Sequence, residues 1–115
     1  MARRSVRWTM VAAAALATGL AGLHAAASSP PSVTIQTFQF NPTPIEVPVG
    51  SRLAFINNDE ITHTVTSGTP EGRDGRFNHQ LIGKGATATV ELAQPGVYPY
   101  FCDRHRSMRG EIRVK

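Results

Sequence analysis

The chain has 115 residues, of which 41% are hydrophobic and 17% are charged, and its formal net charge is +4. This length fits one small domain and leaves no room for a large multidomain enzyme. Cys102 is the one cysteine of the chain, so an internal disulfide is excluded.

Residues 1–27 have the pattern of a secretory signal peptide. Arg3, Arg4 and Arg7 form a positive start, an Ala-rich apolar stretch covers residues 8–23, and small alanines follow before the cleavage point. A membrane anchor is the alternative, but the stretch is short and alanine is only weakly lipophilic. The paired arginines leave both the general secretory and the twin-arginine export routes open. We therefore expect a periplasmic or otherwise exported protein.

Cleavage after residue 27 leaves 115 − 27 = 88 residues, with a short Ser/Pro linker at 28–31 and one domain at 32–115. Three of the twelve Lys and Arg leave with the signal, so nine remain against eight Asp and Glu, and the net charge falls to +1. So little excess charge gives no reason to expect nucleic-acid binding. We also expect no stable membrane insertion after cleavage.

The rest of the chain has the alternating pattern of β-strands and no sustained helical periodicity. Val33 and Ile35, for example, alternate with Thr34 and Gln36. Clusters of Gly, Pro, Asn and Asp separate such runs, which is typical of strands joined by turns. About seven to eight short strands in one small exported domain indicate an all-β fold, a β-sandwich. The expected strands are 33–36, 45–49, 52–55, 63–66, 86–92, 96–102 and 109–114.

The segment YPYFCDRHRSMRG, residues 98–110, holds the residues with the most specific chemistry. Side chains alternate along a strand, so Cys102 lies at the strand end on the same face as the two tyrosines. His105 and Met108 follow at intervals of three, on a loop that can fold back onto the sulfur. A lone thiol in an oxidising compartment needs protection, either by burial as a small hydrophobe or by a bound metal.

A metal site at Cys102 needs one more strong ligand, and two histidines qualify. His63 opens the short run THTVT after a turn, whereas His79 has the polar neighbours of a solvated loop residue, so His63 is favoured. Two imidazoles, one thiolate and a weak thioether form the ligand set of a blue-copper electron-transfer site. Zinc suits two histidines and a cysteine as well.

These motifs resemble the cupredoxins, specifically the plastocyanin/amicyanin-like branch. The similar segments are FNPTPIEVPVGSRLAFIN at 40–57, NxDxxxHTV at 57–65, FNHQLIGKG at 77–85 and GVYPYFCDRHRSMRG at 96–110. The resemblance implies a Greek-key β-sandwich with one type 1 copper ion, held by His63, Cys102, His105 and an axial Met108. It implies one-electron transfer between redox partners and no enzymatic activity.

The chain departs from that branch beside the first histidine. An asparagine commonly follows this histidine in the family and braces the ligand loop, whereas Thr64 stands there in this chain. We expect the hydroxyl or the backbone of Thr64 to provide the brace instead. Backbone N–H groups and Thr64 are also the expected hydrogen-bond donors around the site.

The surroundings of the second histidine also depart from the family. Arg104 and Arg106 flank His105, with Arg109 close by, where relatives often carry apolar residues or proline. The resemblance makes His105 the expected exit for the electron. The basic side chains therefore predict an acidic redox partner, steered by charge and weakened by salt. We expect the protein itself to be a monomer.

Three other functions are alternatives to electron transfer. A copper carrier or sequestering protein could hold the ion with the same four ligands and pass on the ion rather than the electron. An enzyme with Cys102 as its nucleophile would leave Met108 without a role. A metal-free adhesion sandwich would leave the exported thiol without a purpose.

Overall fold

The computed structural model describes residues 29–115, which form two packed β-sheets. The expected signal peptide at 1–27 and the first residue of the expected linker lie outside the described residues. The strands are β1 (Ser32–Gln36), β2 (Gln39–Asn41), β3 (Ile45–Val47), β4 (Ser51–Asn57), β5 (His63–Thr69), β6 (Gly72–Leu81), β7 (Thr87–Leu92), β8 (Gly96–Cys102) and β9 (His105–Val114). Within this part of the chain, no helix is long and apolar enough to cross a membrane.

The chain alternates repeatedly between the two sheets. One sheet has the strand order β2-β1-β4-β7 and the other the order β3-β9-β8-β5-β6. β1 runs parallel to β4 and β3 runs parallel to β9, while the remaining pairs are antiparallel. The expected all-β sandwich is thus confirmed, with β8 held centrally between β9 and β5.

The sandwich core forms because alternate residues of each strand face the opposite sheet. In β4, Leu53 and Phe55 are fully buried, while Ala54 between them is not. In β8, Tyr98, Tyr100 and Cys102 are buried together, which confirms the face predicted from the sequence. The thiol therefore lies at the end of the core, on a strand with neighbours on both sides.

The structure contains two strands that the sequence pattern does not predict. β6 has ten residues, of which the first five are all exposed, so the alternation by which a half-buried strand is detected is confined to residues 77–81. β2 has only three residues. β9 also begins at His105, four residues earlier than expected, and pairs His105 with Cys102 across a bulge.

Tyr100 is buried in the core and packs over a glycine of the neighbouring strand β9. Its ring packs edge-on against Phe40 and Phe55, with centroids 4.7 and 5.2 Å away. Across the sheet it pairs with Gly110, where an added Cβ would overlap the Tyr100 ring. Burial raises the pKa of the Tyr100 hydroxyl, and the nearby Thr43 hydroxyl opposes this shift. Within residues 29–115 the hydroxyl has no hydrogen-bond partner of acceptable geometry.

We expect Tyr100→Phe to raise the free energy of unfolding of the metal-free protein by about 1 kcal/mol, because a buried hydroxyl without a partner opposes folding. Chemical denaturation measures this as a higher midpoint at an unchanged slope. A drop of similar size would contradict the prediction and would show that Thr43 hydrogen-bonds the hydroxyl.

Candidate metal centre

Three side chains with metal-binding atoms converge at one end of the sandwich. The Cys102 sulfur lies 3.7 Å from Nδ1 of His63 and 3.7 Å from Nδ1 of His105. The three ligand atoms all lie within 4.8 Å of one another, and Cys102 is fully buried. The structure therefore brings together the histidine pair and the thiol that the sequence analysis selected.

His63 is the deeper of the two histidines. It opens β5 and is fully buried. Its Nε2 lies 2.8 Å from an Asp59 carboxylate oxygen. An ionised carboxylate only accepts hydrogen bonds, so Nε2 donates and Nδ1 keeps its lone pair toward the sulfur.

His105 is partly exposed, which agrees with its expected position nearer to solvent. It lies at the start of β9 rather than on a free loop, and its ring centroid is 5.1 Å from that of His63. The Phe38 ring contacts both histidines edge-on, at 5.4 Å from His63 and 4.9 Å from His105. Phe38 is itself 49% exposed, so it forms an aromatic cover at the rim of the site.

Met108 lies close to these three residues and is buried. β9 carries it three residues beyond His105, and its neighbours along a shallow cleft include Phe38 and Phe40. A thioether buried beside a thiol and two imidazoles completes the set of four predicted site residues.

Thr64 braces the Cys102 segment through both its backbone and its side chain. Its N–H donates to the Cys102 sulfur at 3.3 Å, and its hydroxyl accepts from the Asp103 N–H at 2.7 Å. This confirms the expectation that a hydroxyl or a backbone bond replaces the usual asparagine. An N–H donor aimed at the sulfur fixes the orientation of the Cys102 side chain.

The short loop before His63 is held by Asn57, to which the sequence analysis assigned no role in the site. Its side-chain amide donates to the Ile61 and Leu81 carbonyls at 2.8 and 3.1 Å. Its side-chain oxygen accepts from the Asp59 N–H at 2.9 Å. A fully buried polar side chain with all these partners is a rigid brace, and it fixes the loop from which His63 projects.

Asp59 was also missed as a site residue. Its carboxylate accepts from the N–H groups of Thr37 and Phe38 at 2.8 and 3.0 Å, in addition to His63. Burial opposes ionisation, but the N–H donors of Phe38 and Thr37 and the His63 ring outweigh it, so the pKa of Asp59 lies below its usual value. The spacing of Asp59 and His63, four residues apart, was the available signal.

The sequence analysis also singled out His79 and three arginines. His79 pairs with Val65 within the sheet and is not part of the converging group. Arg104 and Arg106 are exposed and form no ion pair within residues 29–115. Arg109 instead pairs with Glu71 at 3.2 Å, so the basic rim beside His105 is smaller than the sequence predicts.

The donor set fits a soft metal ion. Metal–nitrogen and metal–sulfur bonds of about 2.0 and 2.3 Å, the values in zinc sites, add up to more than the 3.7 Å separations seen here, so an ion can bridge the sulfur and either histidine nitrogen. Thiolate and thioether sulfur together favour copper over harder ions. A site that is largely formed by the fold can then bind the ion with little rearrangement.

A family model described as copper binding proteins of the plastocyanin/azurin family matches residues 29–115. The chain belongs to this family. Plastocyanin from Ulva arasakii is 32% identical over 72 residues, which cover 57% of this chain and 74% of that protein. The solved structure of a reduced amicyanin variant superposes with a TM-score of 0.63 at 25% identity, over 79% of this chain and 88% of that one. The predicted cupredoxin fold and the copper cofactor are thereby confirmed.

The same fold also occurs inside an enzyme. The copper-containing nitrite reductase from Thermus scotoductus SA-01 superposes with a TM-score of 0.64 at 26% identity. The match covers 76% of this cupredoxin and 22% of that chain, so it is limited to one part of the reductase.

Proposed function

We propose that this cupredoxin is an exported blue-copper electron carrier and not an enzyme, with His63, Cys102, His105 and Met108 as the ligands of one copper ion. The observation that carries the proposal is the convergence of two Nδ1 atoms on one buried sulfur at 3.7 Å each. When bound, copper supplies a one-electron Cu(II)/Cu(I) couple.

The protein's part in this function is to keep the ligand positions fixed. Cys102 and His63 are fully buried, and Thr64 and Asp59 hold them by hydrogen bonds. Ligands held in this way cannot rearrange much between the two oxidation states, and this favours fast electron exchange. His105 is the partly exposed ligand and therefore the natural route for the electron.

The face around His105 supports an acidic redox partner. Arg104 and Arg106 leave two positive charges beside the exit, while Phe38 offers an exposed apolar contact. Charges at the rim of an interface mainly accelerate encounter, and the apolar contact supplies affinity after docking. We propose that the protein acts as a monomer, with residues 1–27 as its signal peptide and the domain at 32–115 working in the periplasm.

Copper delivery is the second candidate function, and the partial exposure of His105 favours it. A ligand that solvent can reach is the one that could protonate and leave, and this would open the site for transfer of the ion. The two functions differ in whether reduction of the protein is followed by electron transfer or by loss of copper.

The proposal is tested by loading the protein with Cu(II), recording the visible spectrum, and cycling it with reductant and oxidant. An electron carrier shows an intense blue band that disappears on reduction and returns on oxidation with the copper still bound. A protein that stays colourless with copper would refute the ligand assignment. Copper that passes to a chelator on reduction would favour delivery.

We expect replacement of both Arg104 and Arg106 by glutamine to slow electron transfer to a small anionic complex about tenfold at low salt. The reason is the loss of charge steering at the exit. The matched control is Arg52→Gln. Arg52 lies near the start of β4 and pairs with Glu91, so its replacement should leave the rate unchanged. The difference should vanish near 1 M salt, where the screening length is about 3 Å. A rate difference that persists at high salt would contradict charge steering.

A further inference from the structure

The Asp59 carboxylate joins two parts of the chain that are distant in sequence. One oxygen accepts from the Thr37 N–H, and the other accepts from the Phe38 N–H and faces His63 Nε2. The three donor–acceptor distances are 2.8, 3.0 and 2.8 Å. Its side chain is 15% exposed: the contact with His63 is partly buried, and the two contacts with the turn lie at the surface. One carboxylate thus binds a histidine of the metal centre and the β1–β2 turn together.

The turn that Asp59 holds has an unfavourable backbone conformation. Thr37 and Phe38 both have positive φ, at 52° and 58°, a region that residues other than glycine avoid. The single Asp59 carboxylate accepts hydrogen bonds from both N–H groups, and these bonds offset the energetic cost of this backbone conformation. With the turn held in this conformation, the Phe38 ring contacts both histidine rings.

The charge of Asp59 is directed at the metal centre. Among the ion pairs within residues 29–115, Asp59 takes part only in the contact with His63. No Lys or Arg in this region neutralises it. A carboxylate behind a ligating imidazole fixes the tautomer and raises the electron donation of the ring.

We propose that Asp59 is a positioning residue of the copper centre: through His63 it stabilises Cu(II) over Cu(I), and through Thr37 and Phe38 it holds the aromatic cover over His105. This inference rests on the proposed copper ligands. It goes further by assigning a tuning role to a residue that holds no metal itself. A stronger donor at His63 favours the higher charge of Cu(II), so Asp59 lowers the reduction potential.

The test compares copper-loaded wild-type protein with Asp59→Asn, which keeps the size of the side chain and an acceptor oxygen but removes the charge. We expect the blue band to remain and the ratio of Cu(II) to Cu(I) affinity to fall about tenfold, which equals about 59 mV in a one-electron potential. Glu60→Gln is the matched control, because it removes the same charge from an exposed neighbour. An equal potential in Asp59→Asn and Glu60→Gln would overturn the proposal.

A second measurement needs neither copper nor a variant. In the metal-free wild-type protein, nitrogen NMR of His63 should show the proton on Nε2, and the Thr37 and Phe38 amide protons should be protected from exchange. A proton on Nδ1, or fast exchange of both amides, would overturn the proposal. A wild-type protein without a blue band would refute the ligand assignment instead, so the two failures are distinguishable.

Discussion

Replacement of Cys102 by serine is expected to abolish the blue colour of the copper-loaded protein and to weaken copper binding by more than about 100-fold. Loss of hydrogen-bond partners outside the ligand shell already costs about 10- to 100-fold in metal affinity, and loss of a direct ligand costs more. The colour depends on the thiolate, which a hydroxyl cannot replace. Visible absorption and competition with a copper chelator measure the two effects.

The matched control for this prediction is His79→Ala. His79 is a half-buried histidine of β6 outside the converging group, so its removal should leave the colour and the affinity unchanged. A Cys102→Ser protein that remains blue, or a His79→Ala protein that loses its colour, would contradict the ligand assignment.

Gly110→Ala is expected to lower the free energy of unfolding by about 3 kcal/mol, the upper part of the range for overpacked cores. An added Cβ would overlap the Tyr100 ring, which Phe40 and Phe55 hold from the other sides. The ring therefore cannot move aside without disturbing the core. A loss of this size is a large fraction of the stability of a small domain, which is about 5–15 kcal/mol.

Denaturation of the metal-free protein measures this loss, and Gly72→Ala serves as its control. Gly72 also lies in a strand, but an added Cβ there meets nothing closer than 4.0 Å. The control should change stability by less than about 1 kcal/mol. Equal stability of the Gly110→Ala and wild-type proteins would show that the Tyr100 ring is not confined.

The metal centre could be predicted from the sequence because its chemistry is concentrated in few residues. Cys102, His105 and Met108 lie within one short segment, and alternation along β8 predicts which way the thiol points. His63 follows from ligand count and from its place at the start of a strand. The strands with one buried face were predicted for the same reason, since alternation records which side meets the core.

Features that depend on long-range contact could not be predicted in the same way. Phe38 covers the histidines only because the β1–β2 turn is held by Asp59, which lies 21 residues further along the chain. The first five residues of β6 are all exposed and therefore carry no alternating pattern. Arg109 belongs to the basic rim in sequence, but folding brings it to Glu71, 38 residues away.

The most direct test of the central claim is an optical redox titration of the copper-loaded protein in the presence of a Cu(I) chelator. We predict one blue band that bleaches and recovers along a single one-electron curve, with one copper per chain retained throughout. Absence of the band, or transfer of copper to the chelator during reduction, would contradict an electron carrier built on His63, Cys102, His105 and Met108.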